Sequence, residues 1–349
     1  MFGHRCDGKK VKNLNIIDKA EPFFMPQRID AVNYTTVKVP CATLDEFIAR
    51  ERRNGNSYNY MHLVIATLVR IMYTRKKHNR FIMRGSIYQR NYISVSMDVK
   101  KRLDEEGDDM TLKFMFTGRE SLPEVKEIVD SEIAKAVQEG EVDKTTKYAS
   151  KLVKLPDFLF RWALAIFRWM DRHGMLTKGM VSASPFHTSV FLTNLKSIKL
   201  GHIYHHLYNF GTTSMFVSMG KEKMEPYIEN NKEIKIGKFM NLGMSLDERV
   251  ADGFYMGKSL KLCNDILANP DTLLQSMPDD GSIPKKLVRK NKKNKVKKVK
   301  ASKEKKQKKI KPLKNKEKQD ERKRKISLRK RKSEDSQIST RENTTNTEE

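Results

Sequence analysis

The clearest pattern along the chain is strict alternation near residue 240. Met240, Leu242, Met244 and Leu246 alternate with Asn241, Gly243 and Ser245, which predicts a strand over Glu233–Leu246 with one face on a core. Asn33–Pro40, rich in Val, Thr and Tyr, predicts another strand. Thr43 followed by Glu46 has the form of a capping box opening a short helix through about Arg53. Tyr60–Lys76 is apolar nearly throughout from Leu63 to Met72, and its length predicts a buried helix. Phe81–Ile87 and Asn91–Val99 read as strands, and Ser121 with Glu124 opens a helix reaching about Glu139. Residues 141–180 are the least regular, with a helical stretch near Lys144–Val153 and an aromatic helix over Asp157–His173. Strands follow at Ser189–Asn194 and Thr212–Met219. After residue 246 comes a helix with Met256, Leu260, Cys263 and Leu267 on one stripe, ending before Pro270. The mixture predicts an α/β (α+β) fold, without the regular parallel crossovers of a dinucleotide-binding domain.

Charge divides the chain more sharply than hydrophobicity does. The 349 residues carry a formal +27, but Lys285–Glu349 alone holds 28 basic and 9 acidic residues, a net +19. The remaining 284 residues hold 42 basic and 34 acidic, a net +8, which is ordinary for a soluble domain. The tail contains no Phe, Trp or Tyr and is expected to be disordered. Its lysines are point charges with no interleaved aromatics, which suits salt-sensitive contact with nucleic acid or an anionic membrane and not base reading. The expected division is an N-terminal extension over 1–20, one domain over 21–284 and the tail over 285–349. The longest apolar run, Phe158–Met170, is interrupted by Arg161 and Arg168 and is too short to span a bilayer. No apolar segment of a secretory signal follows Lys9, Lys10 and Lys12. Cys6, Cys41 and Cys263 are odd in number and scattered, which fits a reducing cytoplasm and neither a disulfide framework nor a zinc site.

Most candidate motifs have plainer readings. Neither Gly-rich phosphate pattern occurs. Asp18-Lys19-Ala20 resembles a lipoyl-lysine turn, but only 17 residues precede Asp18, too few for the surrounding domain. His202 and His206 have the spacing of one helix face, yet no nearby acid or cysteine completes a metal set, so surface or interface histidines are expected. Trp162 and Trp169 lie on the aromatic helix, which is expected to bury its apolar face; the alternative is a helix lying on a membrane surface.

The turn Asp247-Glu248-Arg249-Val250-Ala251-Asp252-Gly253, between an apolar strand and a helix, resembles the D-H-R-x-x-D-G signature of 2-oxoacid dehydrogenase acyltransferases. The related chloramphenicol acetyltransferases carry H-x-x-x-D-G there. Ser189–Leu195 resembles the same family's T-F-T-I-S-N-L strand, 55 residues separating Thr193 from Glu248. Thr212–Gly220, Asn269–Leu274, Asn79-Arg80-Phe81 and Pro26-Gln27-Arg28 resemble further family segments, over roughly residues 20–275. The resemblance implies a two-layer, chloramphenicol acetyltransferase-like α/β sandwich that assembles as a homotrimer. It implies acyl transfer from coenzyme A, with acyl-CoA as substrate; the short segment before Asp18 leads to the expectation of no lipoyl attachment in this chain. Thr193 takes the place of the oxyanion donor. Asp252 takes that of a structural carboxylate paired with Arg28, and Asp247 and Arg249 keep their family identities.

Glu248 stands where the family has its histidine base. An exposed Glu ionises near pH ~4.3 against ~6.5 for His, so a Glu is a weak base at neutral pH unless burial raises it. Three readings follow. One is an acyltransferase using Glu248, or a recruited histidine such as His187 or His206. Another is a catalytically inactive trimeric scaffold or coenzyme A sensor. The third is a head carried by its basic tail to nucleic acid or an anionic membrane.

Overall fold

The alternating stretch becomes β10 (Glu233–Asp247), the longest strand of a seven-stranded sheet among the described residues and second from one edge. The computed structural model describes residues 5–100, 109–138, 154–229 and 233–279. Residues 1–283 cluster as one unit and 284–349 as another. The tail expected from residue 285 and the helical stretch expected at 144–153 lie outside the described residues.

The sheet order is β2 (Val32–Pro40), β10, β8 (Met215–Met219), β7 (Val190–Asn194), β5 (Ile93–Lys100) and β6 (Asp109–Phe116), with β9 (Lys223–Glu229) pairing the first half of β10. β7 runs parallel to both β5 and β8; the other pairings are antiparallel. Alternate residues of the central strands point to opposite faces. Leu192, Val217, Leu242 and Met244 join the main core under α3 (Tyr60–Thr74) and α7 (Gly253–Leu267), while Phe191 and Phe216 form a second cluster with Leu207 on the other face. Each such side chain, fully buried, contributes about 1.5–3 kcal/mol.

α3 is the buried helix that its apolar run predicts. Asn59 accepts from the His62 N–H, and the His62 ring closes the reciprocal bond, so the polar N-terminus is satisfied inside the core. Its one guanidinium, Arg70, is spent on the carbonyls of Thr272 and Gln275. α4 (Leu122–Gln138) opens as expected on Ser121, whose N–H and hydroxyl both donate to Glu124.

Several expectations are corrected. α2 (Cys41–Arg53) begins two residues before Thr43, because Pro40 supplies the extended residue at its start, and no side-chain cap forms. The strand expected over Phe81–Ile87 is a hairpin, β3 (Arg80–Met83) and β4 (Ser86–Arg90), since Arg84 and Gly85 both take positive φ in a two-residue turn. The N-terminal segment is built into the fold. β1 (Gly8–Lys10) pairs with β4, and α1 (Ile16–Phe24) runs across the boundary expected at residue 20. The aromatic helix forms as α5 (Asp157–Arg172), followed by the short α6 (Lys178–Ala183), but Phe158, Leu159, Trp162, Ile166 and Trp169 on it are exposed and not buried. The His202–His206 segment takes no regular secondary structure and carries no helix face. No helix among the described residues is long and apolar enough to cross a membrane.

Candidate functional site

The turn after β10 is set by a buried ion pair. Arg249 donates from Nε to Asp247 Oδ1 at 2.8 Å and from Nη2 to Oδ2 at 2.7 Å, a two-pronged fit to the carboxylate. Both residues are almost fully buried. Asp247 also accepts from the Arg249 backbone N–H, and Arg249 Nη1 reaches the Met25 carbonyl at 2.6 Å, tying the turn to the end of α1. Glu248 sits between the pair, half-buried, in a single 3₁₀ turn. Its Oε2 accepts from Asn33 Nδ2 at 2.7 Å. The turn is therefore a rigid frame that presents one carboxylate.

Asp252 begins α7. Its Oδ1 accepts from the Tyr255 N–H at 2.8 Å, and Lys77 Nζ lies 3.2 Å from Oδ2. The helix-cap bond first, and then Lys77, hold this carboxyl below its usual range. A fourth acid was not legible in the motif. Burial, together with the nearby charges of Asp18, Glu248 and Asp252, pushes Glu21 on α1 above the ordinary carboxylate range. Only the placement of α1 brings Glu21 there.

Arg28 does not pair with Asp252, and that expectation is overturned. Its side chain is buried and donates to the carbonyls of Tyr208 at 3.0 Å and Gly211 at 2.8 Å, while its backbone N–H donates to Asn209 Oδ1. Burial, with Arg249 adding to it and Asp247 opposing, pulls the guanidinium down to about 10. The reason is topological: the chain before β2 runs beside the 208–211 loop, and Asp252 faces Lys77 instead. Arg28 anchors a loop.

Thr193 stands one strand from β8 and two from β10. The registers place it level with Ser218, Gly243 and Thr36 on the sheet face away from α3. Glu248 lies five residues beyond Gly243, roughly 16 Å along the strand direction and about 10 Å across two strand spacings. The two residues therefore do not meet on one thioester carbon within a protomer.

The irregular segment 201–206 crosses that same face. Ser218 Oγ accepts from the Ile203 N–H at 3.1 Å, and His202 Nε2 lies 3.3 Å from the Thr36 hydroxyl, which also bonds Tyr204. His202 thus joins the row of residues level with Thr193. The spacing with His206 misled, because it presumed a helix.

His187 belongs to a different, closed cluster. It is fully buried, with Nδ1 2.7 Å from Ser184 Oγ and Nε2 3.2 Å from Asp171 Oδ2. Burial lowers its pKa against the pull of Asp171. Arg5 joins Asp171 to Asp7, and Arg90 lies 3.9 Å from Asp7. Held in this way, His187 is not available as a recruited base. His206 is exposed and stacks on His205. No group of three or more metal-ligating side chains occurs among the described residues.

Residues 212–275, which include β8, β9, β10, the Asp247–Gly253 turn and α7, match the family model of the 2-oxoacid dehydrogenases acyltransferase (catalytic domain). No sequence among curated proteins matches the chain. Among solved structures, the chain is similar to a probable dihydrolipoamide acetyltransferase from Listeria monocytogenes. The identity is 14%, covering 74% of this chain and 94% of that one, with a TM-score of 0.47. It is similar to the dihydrolipoamide acetyltransferase of Azotobacter vinelandii at 12% identity, over 76% and 94% of the two chains, with a TM-score of 0.46. A chloramphenicol acetyltransferase aligns at 13% identity over 74% and 99%, with a TM-score of 0.44.

Proposed function

We propose that this protein transfers an acyl group from a coenzyme A thioester to a thiol or hydroxyl acceptor, at a site assembled between the subunits of a homotrimer. The observation that carries the reading is the buried Asp247–Arg249 pair presenting a half-exposed Glu248, inside the segment matched to the acyltransferase family. The separation of Thr193 and Glu248 within one chain supports a site completed by a second copy. In the reaction, the acceptor's S–H or O–H proton passes to Glu248 as the acceptor attacks the thioester carbon. The carbonyl electron pair moves onto oxygen, where the oxyanion takes a hydrogen bond from Thr193 of the partner subunit. Collapse expels the coenzyme A thiolate, which recovers the proton from Glu248. Asp247 and Arg249 hold the turn, Asp252 starts α7, and Arg28 anchors the 208–211 loop. We place the protein in the cytoplasm; its cysteines, all free, suit a reducing compartment.

A panel of acyl-CoA thioesters and simple thiol or hydroxyl acceptors tests this by release of free coenzyme A. Turnover is expected, falling roughly 100- to 10,000-fold in Glu248→Ala and about 100- to 1,000-fold in Thr193→Ala. Turnover unchanged in both variants rejects the assigned roles. The second reading, a trimeric scaffold or coenzyme A sensor, draws on Asn33, which already occupies an oxygen of Glu248. Calorimetric binding of coenzyme A with no turnover, in the native protein and in Glu248→His alike, identifies it.

A further inference from the structure

The aromatic helix is a separate feature from the acyl-transfer turn, and nothing in the proposed reaction uses it. Its exposed apolar residues are Phe158, Leu159, Trp162, Ile166 and Trp169, with Phe158 and Trp162 each 70% exposed. Wound at 3.6 residues per turn, these five fall within about 100° of arc. The opposite face holds the helix to the body. Phe167 stacks on Phe210 at 5.5 Å, and Asp171 is buried against Arg5 and His187. The helix therefore lies along the surface with its aromatic stripe directed outward.

The charges beside that stripe are of one sign. Arg161, Arg168 and Arg172 fall together on one edge of the stripe, and Lys154 and Lys178 lie beyond the two ends of the helix. Of the two acids in the helix, Asp171 is turned inward and neutralised, leaving Asp157 at the N-terminus. Pairing the stripe with the same stripe of a second copy brings these arginine rows close together, in a head that already carries net positive charge. An anionic lipid surface matches both features at once. The aromatic side chains enter the headgroup–acyl boundary, and the arginines, with their long apolar stems, meet the lipid phosphates.

The geometry points to α5 as an interfacial helix that docks the folded head on an anionic bilayer, independently of the basic tail. The chain provides its own reporter, because its two tryptophans, Trp162 and Trp169, are both on α5. The test mixes the full-length protein with phosphatidylglycerol–phosphatidylcholine vesicles carrying brominated acyl chains, and with pure phosphatidylcholine vesicles of the same kind. The expected result is a blue-shifted emission and bromine quenching on the anionic vesicles, with neither on the neutral ones. Phe158→Ser combined with Leu159→Ser is expected to weaken binding tenfold or more. Arg161→Gln and Arg168→Gln should each weaken it roughly fivefold. All four side chains are solvent-facing, and unchanged circular dichroism checks that the variants are folded.

Vesicle binding with unchanged tryptophan emission means that the tail alone attaches the protein, and it overturns the inference. Emission already blue-shifted without lipid and unmoved by it assigns the stripe to a protein interface, with the same consequence. Equal quenching on neutral vesicles overturns the electrostatic part. Acyl-transfer turnover is scored separately, so failure of this proposal leaves the reaction untouched.

Discussion

Lys113 on β6 shows how one half-buried lysine ties the sheet to its neighbours. Its ammonium donates to the carbonyls of Val181 at 2.8 Å, Ser184 at 3.2 Å and His187 at 2.8 Å, so a lysine on the sheet secures the segment that leads into β7. Burial, with Arg90 adding to it and Asp7 opposing, pushes its pKa down to about 7. An unfolded chain holds this proton to about pH 10.4. Between pH 7 and 10, unfolding therefore takes up a proton, and stability from this group rises with pH; the penalty is complete below pH 7. Lys113→Met removes the linkage, so its melting temperature should rise less than that of the native protein between pH 7 and 9. Parallel curves would contradict the assignment. The sequence marks Lys113 only as a polar position between Leu112 and Phe114, and the three carbonyls come from residues about 70 positions away. Thr193 and the Asp247–Asp252 turn were legible because they stand in a recognisable string. The placing of Glu21 beside that turn and of His202 beside Thr193 was not, since these neighbours exist only after folding.

Among the elements, the strap over 201–206 depends on two close approaches. A Cβ at Gly243 would meet the Ile203 carbonyl oxygen at 2.3 Å, and one at Gly220 would meet the His202 nitrogen at 2.4 Å. Both obstacles are backbone and cannot rotate aside. Gly243→Ala should therefore cost about 1–3 kcal/mol in denaturant unfolding. Gly257→Ala is the contrasting case: it lies in α7 with nothing within 4 Å of a built Cβ. It should gain up to about 1 kcal/mol from helix propensity. If the two variants shift the midpoint equally, the strap does not press on the sheet. Elements with strong periodicity, such as α3 and β10, were plain in the sequence. α1 was hidden by Pro22 within it, and β1 by being a three-residue polar strand whose existence depends on β4.

For the whole molecule, the β9–β10 arm presents an apolar face that a protomer leaves open. Ile234 pairs with Ile228, and Ile236 lies two residues along the same face; all three are more than 60% exposed. The proposed trimer would supply a cover for it. Sedimentation equilibrium should give three times the chain mass, and Ile234→Lys with Ile236→Lys should reduce it to one. A native monomer would remove the support for a site shared between subunits. Deleting 285–349 should leave that mass ratio unchanged while removing a net +19.

The division between sequence and structure is clearest in the charge and in α5. By itself the sequence determined that the excess charge sits in 285–349, that the head mixes strands and helices, and that an acyltransferase-like turn carries Glu248 where a histidine is usual. These are properties of composition, periodicity and order along the chain. Only the tertiary structure decided that Arg28 serves the 208–211 loop, that His187 is sealed in an ion-pair cluster, and that the α5 stripe faces outward. A helix has the same apolar period whether its stripe meets a core or solvent, and a strand position has the same identity whatever its register. What covers a face, and what lies across from it, is set by contacts between residues far apart in the chain.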